Sequence, residues 1–288
     1  MSDTALRLRL LILILLTCAA VYLGALLYYV AQPATPPFLA VYYLDIGQGD
    51  ATFIQTRGGA QVLIDGGPDD TVLARLREVM PRGDTSIDLV VGTHPDKDHI
   101  AGLAPVLERY DVGTILTTEN KNDTQASAMY DALKEKEGAE VINARRGMLF
   151  TLDASTTLRV LYPDTDPTNM ESNTSSIVLQ LRYGSSTFLF TGDSPKNIEE
   201  YLVGLEGPML RSDVLKVGHH GSRTSSSERF LDAVAPSFAV ISAGKDNSYG
   251  HPHVEVTDML FNKRVSTFLT AASGTIAFFS DGAKVWPQ

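Results

Sequence analysis

The chain has 288 residues, 44% hydrophobic and 20% charged, which is enough apolar sequence to bury a core in one large domain and excludes a disordered protein. Its formal net charge of -10 excludes a broad, nonspecific grip on nucleic acid, because such a grip rests on many Lys and Arg contacts to phosphates; a local basic groove stays open. The single cysteine, Cys18, lies in the first apolar run, so the sequence beyond it holds neither an internal disulfide nor a thiolate metal ligand.

Leu10 to Ala31 is an almost unbroken apolar run, long enough at about 1.5 Å per residue to cross a bilayer core, and is predicted to be a transmembrane helix. Arg7 and Arg9 precede it and no Lys or Arg follows until Arg57. The positive-inside rule therefore places residues 1–9 in the cytoplasm and everything after Ala31 outside it, as a single-pass membrane protein. A cleaved signal peptide is the rival reading, but no convincing small-x-small site precedes Gln32, and Leu15-Leu16-Thr17-Cys18 resembles a lipoprotein box only loosely. Residues 32–38, with three prolines, read as a stiff linker to a domain over 39–288.

Short apolar or alternating runs at Leu39 to Asp45, Ala51 to Thr56 and Gln61 to Ile64, separated by glycines, read as an antiparallel meander. A helix over Asp69 to Met80 is stopped by Pro81. The strand Ile87 to Val91, a helix from His99 to Arg109, the strand Val112 to Thr117, a helix over Gln125 to Glu137 and the strand Val141 to Asn143 follow. Strands are next expected at Leu158 to Tyr162, Ser176 to Arg182 and Thr187 to Phe190, then a helix from Pro195 and a strand over Asp213 to Val217. A helix over Ser226 to Val234, the strand Phe238 to Ile241, a helix over Val254 to Phe261 and strands at Ser266 to Leu269 and Thr275 to Phe279 complete the chain. Two strand-rich halves interleaved with helices predict an α+β fold, two sheets packed face to face with helices outside.

The chemistry gathers at strand ends. Thr93-His94-Pro95-Asp96-Lys97-Asp98-His99 follows an apolar strand, and its two imidazoles and two carboxylates suit a pair of divalent ions. The plainer reading is a polar loop in which Asp98 caps the next helix. All six histidines fall in pairs: His94 with His99, His219 with His220, His251 with His253. Asp193 ends an apolar strand and reads as a metal bridge, since Ser194 is available to cap the next helix.

These segments resemble the metallo-beta-lactamase fold superfamily, most closely the hydrolase domain of ComEC-type competence proteins. The resemblance runs in order from about Val41 to Gly282. It rests on Leu44-Asp45-Ile46-Gly47-Gln48-Gly49-Asp50-Ala51, Leu63-Ile64-Asp65-Gly66-Gly67, Thr93 to His99, Ser176-Ile177-Val178-Leu179 and Thr191-Gly192-Asp193. Leu215-Lys216-Val217-Gly218-His219-His220-Gly221-Ser222 and Asn247-Ser248-Tyr249-Gly250-His251-Pro252 extend it. It implies an αββα sandwich of two mixed β-sheets with a two-metal site at one edge. Carried over by residue, it implies His94 and Asp96 on one cation, Asp98, His99 and His219 on the other, Asp193 between them, and Asp65 behind the ligands fixing a histidine ring. Most superfamily hydrolases have His where Asp96 stands and a further His before Asp193; this chain has no histidine between His99 and His219, as in the ComEC-like branch, where Asn173 and Ser176 mark the corresponding region. Oxygen-rich ligands suit manganese at least as well as zinc. Ala271 also departs from an acidic residue of the pattern, and ComEC-type proteins carry the domain on a multi-span channel where this chain has one apolar span, so the resemblance supports the hydrolase and not DNA uptake.

The expected mechanism is hydrolysis by a water that two cations bridge and acidify. Asp98 would orient it, and His251 or His220 would protonate the leaving oxygen or hydrogen-bond the substrate. Adjacent histidines on a regular strand cannot both face one metal, so His219 is assigned to the metal and His220 to the substrate side. Lys216, Ser222 and His253 are expected to contact substrate, with Lys97, Arg223, Lys245 and the hydroxyl-rich Thr224 to Ser227 nearby. The substrate class is a phosphoester, either a nucleic acid strand such as single-stranded DNA or a smaller extracellular ester. A catalytically silent binding module and a diiron redox protein of the same fold stand as alternatives; the second would call for a richer His and Glu ligand set.

Overall fold

The computed structural model describes residues 3–31 and 37–288; most of the expected linker, residues 32–36, lies outside the described residues. Helix α1 (Asp3–Ala31) is long and apolar enough to cross a membrane over Ala5–Gly24, where its side chains are exposed. It forms a unit of its own.

The second unit is built from two sheets. The chain lays down β1 (Leu39–Tyr43), β2 (Thr52–Gln55), β3 (Gln61–Ile64), β4 (Ser86–Gly92), β5 (Asp111–Thr117) and β6 (Glu140–Asn143) in the first. It then crosses to the second for β7 (Leu149–Thr151), β8 (Thr156–Tyr162), β9 (Val178–Tyr183), β10 (Ser186–Phe190), β11 (Val214–Lys216), β12 (Phe238–Ile241) and β13 (Ser266–Leu269). It returns to the first with β14 (Ile276–Ser280) and β15 (Val285–Pro287). The first sheet runs β15-β14-β1-β2-β3-β4-β5-β6 and the second β13-β12-β11-β10-β9-β8-β7. In each, one half is antiparallel and the other parallel: β3 through β6 are parallel in the first, β10 through β13 in the second.

Period-two alternation explains the layers. Val62 and Ile64 of β3, Leu89 and Val91 of β4, Phe188 and Phe190 of β10 and Val214 of β11 form the core between the sheets. Their neighbours face outward. Leu63 and Val90 pack with α2 (Thr71–Val79), α4 (Leu103–Leu107) and Tyr130 of α5 (Gln125–Glu137), while Leu189 and Leu215 pack with α6 (Lys196–Glu206), α7 (Glu228–Val234) and α8 (Val254–Asn262). The result is the αββα sandwich. The helix expected from His99 to Arg109 is broken into α3 (Lys97–Ile100) and α4, because the Gly102 N–H donates to the Gly67 carbonyl at 2.9 Å and the His99 carbonyl accepts the Gly66 N–H at 2.7 Å instead of a helical one; residue 102 must be glycine there, since a Cβ would sit 1.9 Å from the Gly66 carbonyl oxygen. The short edge strands β7 and β15 carry no expectation from the sequence, and the helix after Asp193 begins at Lys196 with Pro195 at its N-cap, so Ser194 does not cap it.

Candidate metal centre

Parallel strands end together, and here both parallel halves end at one edge. Asp65 follows β3, Thr93 to His99 follows β4, Asp193 follows β10, and His219 and His220 follow β11. Leaving the strand frees these side chains from its alternation, so neighbours in sequence can turn to the same side.

Four imidazoles are pinned through Nδ1 with Nε2 left over. His99 Nδ1 donates to Asp65 Oδ2 at 2.8 Å. Thr93 donates its hydroxyl to the same Asp65 oxygen at 2.8 Å, and so accepts from His94 Nδ1 at 3.0 Å. Asp65 Oδ1 accepts the Thr93 backbone N–H at 2.8 Å. His220 Nδ1 donates to the Ser242 carbonyl at 3.0 Å, and His219 Nδ1 to Thr224 Oγ1 at 2.9 Å, whose own proton goes to Ser222. Each ring, when neutral, is thereby held in the tautomer that presents an Nε2 lone pair.

Those lone pairs converge on Asp193. His99 Nε2 lies 3.3 Å from Asp193 Oδ1, while His220, His219 and His94 Nε2 lie 3.5, 3.7 and 4.0 Å from Oδ2. Asp98 Oδ2 is 3.2 Å from His220 Nε2, and Asp96 Oδ2 is 3.6 Å from His94 Nε2. Asp96 is steered by its other oxygen, which accepts from Asn122 at 2.6 Å and Ser172 at 2.7 Å. The Asp193 backbone N–H donates to Ser176 Oγ. His94 Nε2, His99 Nε2, His220 Nε2 and Asp193 Oδ1 are buried without a hydrogen-bond partner. Such atoms cost about 1–3 kcal/mol each when left unpaired. With metal bonds of 2.0–2.2 Å, neighbouring tetrahedral ligands stand about 3.3–3.6 Å apart, close to the separations here, so the donor set fits divalent cations.

Asp50, His99, Asp193 and His220 also offer ligand atoms within 4.8 Å of one another. Asp50 is better placed as a positioner. Its Oδ2 is 2.7 Å from Lys216 Nζ, and its Oδ1 is 3.2 Å from His220 Nδ1, the side of the ring away from Asp98 and Asp193. Gly49 carries this loop against the ligand segment: a Cβ there would lie 2.2 Å from the Asp98 carbonyl oxygen, and its φ of +134° favours glycine.

Burial alone would depress the His220 imidazolium, but the Asp193 and Asp50 carboxylates outweigh it and carry its pKa up to about 10. Burial raises the Asp193 carboxyl, yet the His220, His99 and His94 imidazoles hold it well below the ordinary carboxylate range. His251 moves the other way: burial, then His220 and His219, bring it down to about 4, so it is neutral at pH 7. A cleft of about 110 Å³ opens over these groups, lined by Gln48, Asp96, Asp98, Asp193, His219, His220, Tyr249 and His251.

Residues 44–245 match the family model described as the metallo-beta-lactamase superfamily. The chain belongs to this superfamily. It is 31% identical to ComE operon protein 3 of Bacillus subtilis over 82% of this chain and 32% of that protein. It is 33% identical to competence protein ComA of Neisseria gonorrhoeae over 83% of this chain and 32% of that one. It therefore spans about a third of the length of these ComEC-type relatives. The metallo-beta-lactamase fold protein YhfI of Bacillus subtilis, 15% identical, superposes with a TM-score of 0.53 over 86% of this chain and 99% of its own, which bears on the fold alone.

Within this metallo-beta-lactamase domain the structure gathers His94, Asp96, Asp98, His99, Asp193, His219 and His220, with Asp65 behind them and His251 at the mouth, its ring 5.5 Å from His219 and 6.1 Å from His220. His219 was expected on the metal and His220 on the substrate side; the structure brings the Nε2 of both within 3.7 Å of Asp193. Both have left-handed backbones, φ 48° and φ 52°, which abolish the strand's alternation at a cost of about 1–2 kcal/mol each. His220 is the deeper of the two and the one that faces Asp98. Lys216, Ser222 and His253, expected to contact substrate, are not among the residues that line the cleft, and of the three only His253 adjoins its mouth, its ring 4.9 Å from that of His251. Lys216 shares the inward face of β11 with Val214 and is buried against Asp50; the buried Ser222 hydroxyl supports Thr224; His253 Nδ1 accepts the Arg223 backbone N–H. The sequence assigned no role to Asp50, Asn122 or Ser172, and it placed Thr224 in a hydroxyl-rich loop near the substrate, where the structure has it holding the His219 ring. Of the first three only Asp50 carried a signal, as the acidic residue of a glycine-framed strand-end loop.

Proposed function

We propose that the chain is a membrane-anchored, dinuclear metal-dependent hydrolase of phosphodiesters. The observation that carries this reading is the set of buried, unpartnered ligand atoms, His94 Nε2, His99 Nε2, His220 Nε2 and Asp193 Oδ1, turned toward one another at the sheet edge. One cation is assigned to His94 and Asp96, a second to Asp98, His99 and His220, with Asp193 between them. Bound cations of this kind, zinc or manganese, supply Lewis acidity toward a phosphoryl oxygen and lower the pKa of water.

The chain's own side chains do the rest. Asp65 keeps His94 and His99 in the ligating tautomer. Asp98, on the cleft wall, orients the attacking water. His251, neutral at pH 7, hydrogen-bonds the leaving oxygen instead of protonating it. The competence proteins among the relatives support a DNA strand as substrate, and the charge of -10 favours a locally held end over a long duplex track. Arg7 and Arg9, in the amino-terminal turns of α1, support a cytoplasmic amino terminus and an extracytoplasmic hydrolase domain.

The test is turnover of bis(p-nitrophenyl) phosphate and of short end-labelled single-stranded DNA by the detergent-solubilised chain with Mn²⁺ or Zn²⁺. Asp193→Asn is expected to lower turnover by at least about 100-fold, because even partners behind the ligands are worth 10–100-fold. Two bound cations with no turnover of any ester would instead favour a binding module.

A further inference from the structure

We propose that the adjacent His219 and His220 ligate different cations, so that His219 supplies the imidazole the first site otherwise lacks. The inference rests on the dinuclear reading above and deepens it. The second site already counts four donors: Asp98, His99, His220 and Asp193. The first counts only His94, Asp96 and Asp193, and no histidine occurs between His99 and His219 to complete it.

His219 is prepared for that place. Its Nε2 lies 3.7 Å from Asp193 Oδ2, the oxygen that His94 and His220 also face, whereas His99 faces Oδ1; His220 is the one of these that also meets Asp98, which leaves His219 free to pair with His94. Its Nδ1 is tied to Thr224 Oγ1 at 2.9 Å, and Thr224 is in turn tied to Ser222, so the ring is aimed with Nε2 toward the cleft. The two left-handed residues in succession are what permit it, since in an extended strand one ring would turn away. The hydroxyl-rich turn after His220 thus serves to position a ligand. Asn173 Oδ1, next to Ser172, is a rival donor, being a buried oxygen without a partner.

Cadmium-113 NMR of the full chain in detergent, with ¹⁵N-labelled histidine, decides between them. Two cadmium resonances are expected, each correlated with two imidazoles: His94 and His219 on one, His99 and His220 on the other. His219→Asn, which removes the imidazole but tolerates the left-handed backbone, should shift the first resonance and weaken that site 10–100-fold, leaving the second unchanged. A resonance correlated with His94 alone in the wild-type chain would overturn the proposal, and so would His219 and His220 correlated with one cadmium. Fewer than two resonances in the wild-type chain would sink the dinuclear reading itself.

Discussion

Replacing Asp65 by Asn should uncouple the histidines from the metals without removing a ligand. Three donors meet on the Asp65 carboxylate: the Thr93 N–H on Oδ1, and the Thr93 hydroxyl and His99 Nδ1 on Oδ2, all at 2.8 Å. An asparagine offers one oxygen. If it keeps the Thr93 N–H, its NH₂ faces His99 Nδ1, and the ring is satisfied only by moving its proton to Nε2, the atom that lies 3.3 Å from Asp193. The flipped amide instead opposes the Thr93 N–H, a buried donor left unpaired. Either way the change costs about 1–3 kcal/mol, matching the 10–100-fold in metal affinity typical of such partners. Competition titration of the full chain with a chromophoric chelator measures it. Affinities within twofold of wild type at both sites would refute the idea that Asp65 sets the tautomer.

Lys216→Met should destabilise the chain by about 3–5 kcal/mol, because it strands the buried Asp50 carboxylate; thermal unfolding should show Asp50→Asn recovering most of the loss in the double variant. Gly49→Ala should lower metal affinity and melting temperature together, since its Cβ collides with the Asp98 carbonyl; unchanged calorimetric binding would count against that contact. Burial pushes the Glu199 carboxyl from 4.5 up to about 7, against the pull of the Ser227 and Ser226 amides. The folded state thus holds the proton more tightly than the unfolded one, so this stabilisation is complete below pH 4.5 and lost as pH rises through 7. Wild type should lose about 3 kcal/mol relative to Glu199→Gln between pH 4.5 and 8, and parallel denaturation curves for the two would refute it.

The sandwich was legible because its inner strands obey simple alternation: Val62 and Ile64 inward, Leu63 outward, Phe188 and Phe190 inward, Leu189 outward. The ligand loop was legible because metal-binding side chains were crowded where a strand had to end. The turn at His219 and His220 was not, since two successive left-handed residues are set by tertiary contacts and leave only the flanking Gly218 and Gly221 as a trace. The pairing of Lys216 with Asp50 was not legible either, because it follows from the register of β11 and a partner 166 residues away. Val214 and Lys216 share a face of β11, and that face points between the sheets. The edge strands β7 and β15 are three residues each, too short for a periodic signal.

Native mass spectrometry of the detergent-solubilised chain, loaded with Mn²⁺ or Zn²⁺, addresses the metal centre most directly. Two cations per chain are expected in the wild type, and at most one in Asp193→Asn, where the carboxylate facing all four imidazoles is gone. A wild-type chain that retains no cation, or an Asp193→Asn variant that still holds two, would contradict the account.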